Sequence, residues 1–171
     1  MDIFYEQLIE KIPSSKDNAK KFGIYAIAII LALLIIFLSI STIFAPIGIL
    51  LSVGLVWLAY YLGTNQFIEY EYIITNGEID IDKIIGKRKR SRLLTVEVKQ
   101  FTNFGEYSDA INNDDTSTII LASENSGIND WFADFETENY GKTRLIFSPD
   151  EKFLNCIKPF LKNNLKLNNN K

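Results

Sequence analysis

The run from Phe22 to Ile68 holds 47 residues without a charged side chain, and no other feature limits what this chain can fold into so strongly. One bilayer crossing takes roughly 20 apolar residues, so the run has the length for two. A break between them is supplied at Ala45-Pro46-Ile47-Gly48. Proline lacks a backbone donor and suits the first turn of a helix. The pattern predicts a transmembrane helical hairpin, with one crossing over about Gly23 to Phe44 and a second over about Ile47 to Leu62.

Charges flanking the run set its orientation. Lys16, Lys20 and Lys21 stand before the first helix, Lys83 to Arg92 follow the second, and the turn between the helices is uncharged. The positive-inside tendency therefore predicts a two-pass protein of the cell membrane with both termini in the cytoplasm. Trp57, Tyr60 and Tyr61 are ring types that favour the boundary between lipid and water. The first 22 residues include Asp2, Glu6 and Glu10 and do not resemble the short basic start of a cleavable signal, so the hairpin is expected to be retained. Ala28, Ala32, Gly48 and Ser52 recur at four-residue spacing, which allows close helix approach within the hairpin or between copies. Ile3, Phe4, Leu8, Ile9 and Ile12 fall at helical spacing. They predict a short amphipathic helix that lies in the membrane interface or packs on the C-terminal domain.

Three segments follow: an amphipathic and basic juxtamembrane segment over 1–22, the hairpin over 23–65, and one compact domain over 66–171. Lys+Arg 18 against Asp+Glu 21 gives no case for nucleic-acid binding, and one cysteine with no histidine excludes an internal disulfide and every histidine-dependent mechanism. No metal site and no cofactor are expected. Neither a glycine-rich phosphate loop nor a nucleophile motif is present.

From Ile68 the period changes to two. Ile68, Tyr70, Tyr72 and Ile74 alternate with Glu69 and Glu71, and after Asn76-Gly77 the alternation resumes at Ile79 and Ile81 around Asp80 and Asp82. Asn-Gly suits the positive backbone angles of a tight hairpin turn. That turn would oppose Ile74 to Ile79, Tyr72 to Ile81 and Glu71 to Asp82. Further strands are predicted over 87–94, 96–104, 116–123, 130–138 and 143–148, making seven in an antiparallel meander. Ser148-Pro149-Asp150-Glu151 reads as a helix start with serine as the cap. Phe153, Ile157, Phe160 and Leu161 form the apolar stripe of the final helix, Pro159 shortens it, and the chain from Asn163 is expected to fray.

This order of elements, with Tyr72 to Ile79 at the first hairpin, Gly86-Lys-Arg-Lys-Arg90 after the second strand and Phe147 to Phe153 at the last strand and helix, resembles bacterial membrane proteins with pleckstrin-homology-like (PH-like) domains. The relatives form a small family of unassigned function. The resemblance implies an α+β protein: a transmembrane hairpin followed by a bent seven-stranded antiparallel sheet closed by a C-terminal helix. It also implies binding of lipids or proteins and no reaction.

Lys87, Arg88, Lys89, Arg90 and Arg92 form the densest basic group. Anionic headgroups attract such a cluster by about 1 kcal/mol per basic residue near the surface, making these five candidates for headgroup or partner contact. The alternative is cross-strand neutralisation of Glu69, Glu71, Asp80 and Asp82. Alternation on a strand accounts for Asp80 and Asp82 without acid–base or metal chemistry. Asn112 to Asp115 lacks the spaced acids and glycine of a calcium loop, while Cys156, Trp131, Phe132 and Phe135 are expected in the core. The resulting expectation is a non-enzymatic, membrane-anchored protein whose cytoplasmic domain binds a protein partner, itself or anionic headgroups. The alternative is an accessory subunit of a transporter or envelope enzyme that packs through its hairpin.

Overall fold

A computed structural model describes residues 2–108, 118–124, 129–138 and 140–168. The chain divides into two compact units: Pro13–Phe67, and a strand-rich unit made of the segment ending at Ile12 together with the chain from Ile68 onward.

The first unit is a helical hairpin of α1 (Ser15–Ser39) and α2 (Ala45–Thr64), both long and apolar enough to cross a membrane. Helix α1 begins with a capping box. The Ser14 hydroxyl accepts from the Asp17 N–H, and the Asp17 carboxylate accepts from the Ser14 N–H. It ends at Ser39, five residues before the expected Phe44, and Pro46 lies in the first turn of α2. Only small residues are buried in either helix: Ala28 and Ala32 in α1, and Gly48, Ser52, Ala59 and Gly63 in α2. Leu, Ile, Phe and Trp side chains point outward instead. A soluble core helix has the opposite pattern. Ser52 Oγ donates to the Ala32 carbonyl of the other helix at 3.1 Å and to the Gly48 carbonyl at 2.8 Å. The small residues serve the hairpin's own seam, where a methyl group at Gly48 would strike Ser39 and one at Gly63 would strike Tyr25.

The strand-rich unit has two four-stranded sheets among the described residues, where one seven-stranded sheet was expected. The first contains β1 (Phe4–Glu10), β2 (Ile68–Thr75), β3 (Glu78–Ile85) and β4 (Lys89–Glu97), in chain order and antiparallel. Segment 2–12 is therefore not a helix. Its apolar residues satisfy both periods locally, and tertiary pairing with β2, from Phe4 opposite Thr75 to Glu10 opposite Glu69, decides for strand. The expected domain boundary moves accordingly, since β1 belongs with the C-terminal sheets.

The second sheet contains β5 (Asn103–Glu106), β6 (Thr118–Ala122), β7 (Trp131–Thr137) and β8 (Gly141–Phe147), in the order β5-β7-β8-β6. Strand β6 runs parallel to β8, which corrects the all-antiparallel meander. The sheets separate at a 3-10 turn, Val98–Gln100, which breaks the strand expected over 96–104. The expected loop over 107–115 lies mostly outside the described residues.

The core lies between the sheets. Tyr72, Ile74, Ile79 and Ile81 from the first meet Leu145 and Phe147 from the second, and α3 (Glu151–Ile157) inserts Phe153 and Ile157. The rings of Phe153 and Tyr72 are 5.8 Å apart, edge to face. Asp150 caps α3, in place of the expected Ser148, with its carboxylate accepting from the Phe153 N–H at 2.7 Å. The chain tightens into a 3-10 turn at Lys158–Phe160, as Pro159 requires. It then forms α4 (Asn163–Asn168) instead of fraying, with Leu165 buried in the core.

Candidate interaction surface

Alternation places one side of the first sheet against the core and the other outward. The outward side carries Glu6 and Glu10 from β1, Glu69 and Glu71 from β2, and Asp80 and Asp82 from β3. The Asn76-Gly77 turn, with φ of 49° and 89°, fixes this arrangement. It sets Ile74 opposite Ile79, Tyr72 opposite Ile81 and Glu71 opposite Asp82, the expected register. Like charges opposite one another are unfavourable, so the face needs counter-charges.

Strand β4 supplies them. Arg90 pairs with Glu71 and reaches Asp82 at 3.7 Å, while Arg92 pairs with Asp80 and lies 2.5 Å from Asp82. A bulge between Ile81 and Asp82 keeps Arg92 beside Asp82 while Leu94 stays against Ile81. Glu71 and Asp82 are nearly inaccessible, whereas both arginines remain half-exposed. Burial raises the Glu71 carboxyl above the usual carboxylate range, Arg90 opposes that rise, and Glu6 adds to it. The arginine stems thus cover carboxylates that the sheet has removed from water.

The five basic residues do not act as one group. Arg90 and Arg92 are committed to the acidic face. Lys87 bridges Glu69 at 3.3 Å and Glu10 at 3.5 Å from an exposed position, and these contacts raise its ammonium pKa, the Glu69 hydrogen bond most. Lys87 occupies the left-handed region, φ 57°, beside Gly86 at 59°, and the turn closes with the Arg88 N–H donating to the Ile85 carbonyl at 3.1 Å. Lys89 is exposed and has no ion-pair partner among the described residues. This β3–β4 turn lies at the end of the sheet where Glu10 opposes Glu69 and Ile68 opposes Ile85. Both connections to the hairpin, residues 11–14 and 65–67, leave from that same end.

Strand β1 also carries side chains whose importance the helical assignment of 2–12 concealed. Gln7 donates to the Ser148 carbonyl at 3.2 Å and accepts from the Asp150 N–H at 3.0 Å, so its amide reads the segment entering α3 as a strand partner would. The Tyr5 hydroxyl donates to Asp150 at 2.7 Å, which raises the phenol pKa. Ser148 faces inward, donating to buried Asp130 at 2.6 Å, and its N–H donates to the buried Tyr72 hydroxyl. In the second sheet Arg144, 1% exposed, makes a two-point pair with Asp134 at 2.6 and 2.7 Å and lies over the Phe132 ring. Strand alternation puts Phe132 on the face opposite Phe135; Phe132 is buried there, Phe135 is in the main core, and Trp131 packs at its margin. Cys156 also packs against that core. Among the described residues, no group of three or more acidic or cysteine side chains is placed to hold a metal ion.

Residues 1–167 match a family described as "Bacterial PH-like domain (DUF6106)". No curated protein and no solved structure matches the chain.

Proposed function

From the premise that the chain belongs to this bacterial PH-like domain family, we propose that it is a membrane-anchored, non-enzymatic interaction protein. In this reading the hairpin spans the cell membrane, both termini are cytoplasmic, and the PH-like domain binds a protein partner or anionic headgroups. The observation that carries it is the inverted packing of α1 and α2, which bury alanine, glycine and serine and expose their large apolar residues. Such helices lose stability in water and gain it in hydrocarbon. A PH-like domain joined to them by two short segments is held within reach of a bilayer surface.

Headgroup contact falls to the β3–β4 turn and the first residue of β4, where Lys87, although it meets Glu69 and Glu10, and Lys89 are exposed, while Arg90 and Arg92 lie across Glu71, Asp80 and Asp82. In nanodiscs, the backbone amides of 86–89 should gain exchange protection with anionic lipid and not with zwitterionic lipid. Equal protection in both would remove the lipid contact.

The second reading, an accessory subunit packing through its hairpin, draws on two apolar grooves beside the helix seam. One, of about 370 Å³, is lined by residues including Ile29, Leu33 and Val53. The other, of about 210 Å³, is lined by residues including Ile27, Leu31 and Leu58. Photo-crosslinkers at Phe37 and at Thr95 in the full chain separate the readings. A stoichiometric partner captured at Thr95 supports the interaction module, and capture at Phe37 alone supports the accessory subunit.

A further inference from the structure

Strand β1 is an edge of the first sheet. At its two ends the Asn76 N–H donates to the Ile3 carbonyl and the Lys11 N–H donates to the Ile68 carbonyl, both at 2.9 Å. In an antiparallel ladder hydrogen-bonded positions alternate. Odd-numbered residues therefore face β2, and the backbone groups of Phe4, Glu6, Leu8 and Glu10 face away from the sheet. Ile12, next in that outward series, donates its N–H to the Glu124 carbonyl at 2.8 Å. One backbone partner is thus already in place at the end of the edge, and the four preceding outward positions have none among the described residues.

The side chains along this edge are equally open. Phe4 is 66% and Leu8 54% exposed, and they alternate with exposed Glu6 and Glu10 on the outward face. Natural edges are usually protected by lysine, proline or a covering element. This edge carries the acids Glu6 and Glu10, which deter acidic segments, interleaved with exposed Phe4 and Leu8. Six carboxylates, Glu6, Glu10, Glu69, Glu71, Asp80 and Asp82, share the face, where Lys87, Arg90 and Arg92 pair with Glu10, Glu69, Glu71, Asp80 and Asp82, and Glu6 and Glu10 lie exposed along the edge itself. An occupant must therefore bring positive charge as well as backbone groups.

We infer that β1 is a docking edge at which an extended segment of a partner protein, with alternating basic and apolar side chains, adds as a fifth strand of the first sheet. Backbone hydrogen bonds to Phe4, Glu6, Leu8 and Glu10 give affinity, and basic side chains opposite Glu6 and Glu10 give selectivity and register. This deepens the interaction-module reading and rests on it.

The test uses the full chain in nanodiscs and the peptide acetyl-Lys-Thr-Ile-Thr-Lys-Thr-Ile-amide. Laid antiparallel, it places its lysines opposite Glu10 and Glu6 and its isoleucines opposite Leu8 and Phe4. Saturable binding at or below about 1 mM is expected, with slowed exchange of the Phe4, Glu6, Leu8 and Glu10 amides. Glu6→Lys with Glu10→Lys should weaken binding about tenfold or more, while unchanged exchange in β7 and β8 shows that the variant is folded. N-methylation of both peptide isoleucines should abolish binding. Absence of binding up to that concentration, insensitivity to charge reversal, or protection only elsewhere would overturn the docking edge. If Thr95 crosslinks capture a partner whose footprint excludes β1, the edge is overturned and the interaction module stands; if no domain position captures any partner, both fall.

Discussion

Truncating Arg90 tests whether the basic cluster belongs first to the sheet. Arg90→Ala leaves Glu71, 6% exposed in its side chain, without its nearest positive charge. Stranding a fully buried charge costs about 3–5 kcal/mol. The Arg90 side chain is 54% exposed, so water and Arg92 replace part of its effect, and the expected loss is about 1–2 kcal/mol near pH 7.5. The pH dependence carries the sign. The Glu71 pKa is already raised by burial, so the folded state binds that proton more tightly than the unfolded state. Its contribution to stability is present at low pH and lost as pH rises through the folded value. Removing Arg90 raises that value further, so the deficit should shrink toward low pH, where Glu71 is protonated. Glu71→Gln in the Arg90→Ala background should recover most of the loss, whereas Lys89→Ala should stay within about 0.5 kcal/mol. Urea unfolding of the full chain in detergent, followed by Trp131 fluorescence with Trp57→Phe, measures all three variants. A deficit independent of pH, equal effects at Arg90 and Lys89, or no recovery by Glu71→Gln would refute the reasoning.

The same assay applies elsewhere in the domain. Asp134→Ala leaves Arg144 charged and almost wholly buried and should cost about 3–5 kcal/mol. Gln7→Ala removes both bonds to the 148–150 segment and should cost about 1–3 kcal/mol, with faster amide exchange in β1. Asp150→Ala removes the α3 cap and the Tyr5 partner, for about 1–2 kcal/mol. In the hairpin, Gly63→Leu collides with Tyr25 while Gly54→Ala meets nothing within 4 Å; thermal unfolding in detergent should show a loss of about 1–3 kcal/mol for the first and none for the second.

Local chemistry made the hairpin helices and the β2–β3 pair legible. An uncharged run with a proline break needs no tertiary partner to be read, and Asn76-Gly77 fixes its own register. Strand β1 was not legible because Ile3, Phe4, Leu8, Ile9 and Ile12 fit a helix as well as an edge strand. Its partner, β2, lies beyond the whole hairpin. The parallel β6–β8 pair is likewise a long-range choice that alternation cannot reveal. Serine at 148 matched a helix cap in sequence, yet the buried Asp130 carboxylate claims its hydroxyl and Asp150 takes the cap. The basic cluster was visible as charge, but its division needed the register of β4 on β3, which sends Arg90 and Arg92 over Glu71, Asp80 and Asp82 and leaves Lys87 and Arg88 in the turn and Lys89 at the start of β4.

Thiol labelling in intact cells tests the membrane arrangement most directly. With Cys156→Ser as background, cysteines introduced singly at Thr42, in the turn between α1 and α2, and at Lys89 are offered a membrane-impermeant maleimide. A two-pass hairpin with a cytoplasmic PH-like domain predicts labelling at Thr42 in intact cells, and at Lys89 only after permeabilisation. Labelling of Lys89 in intact cells, or protection of both positions until permeabilisation, would contradict it.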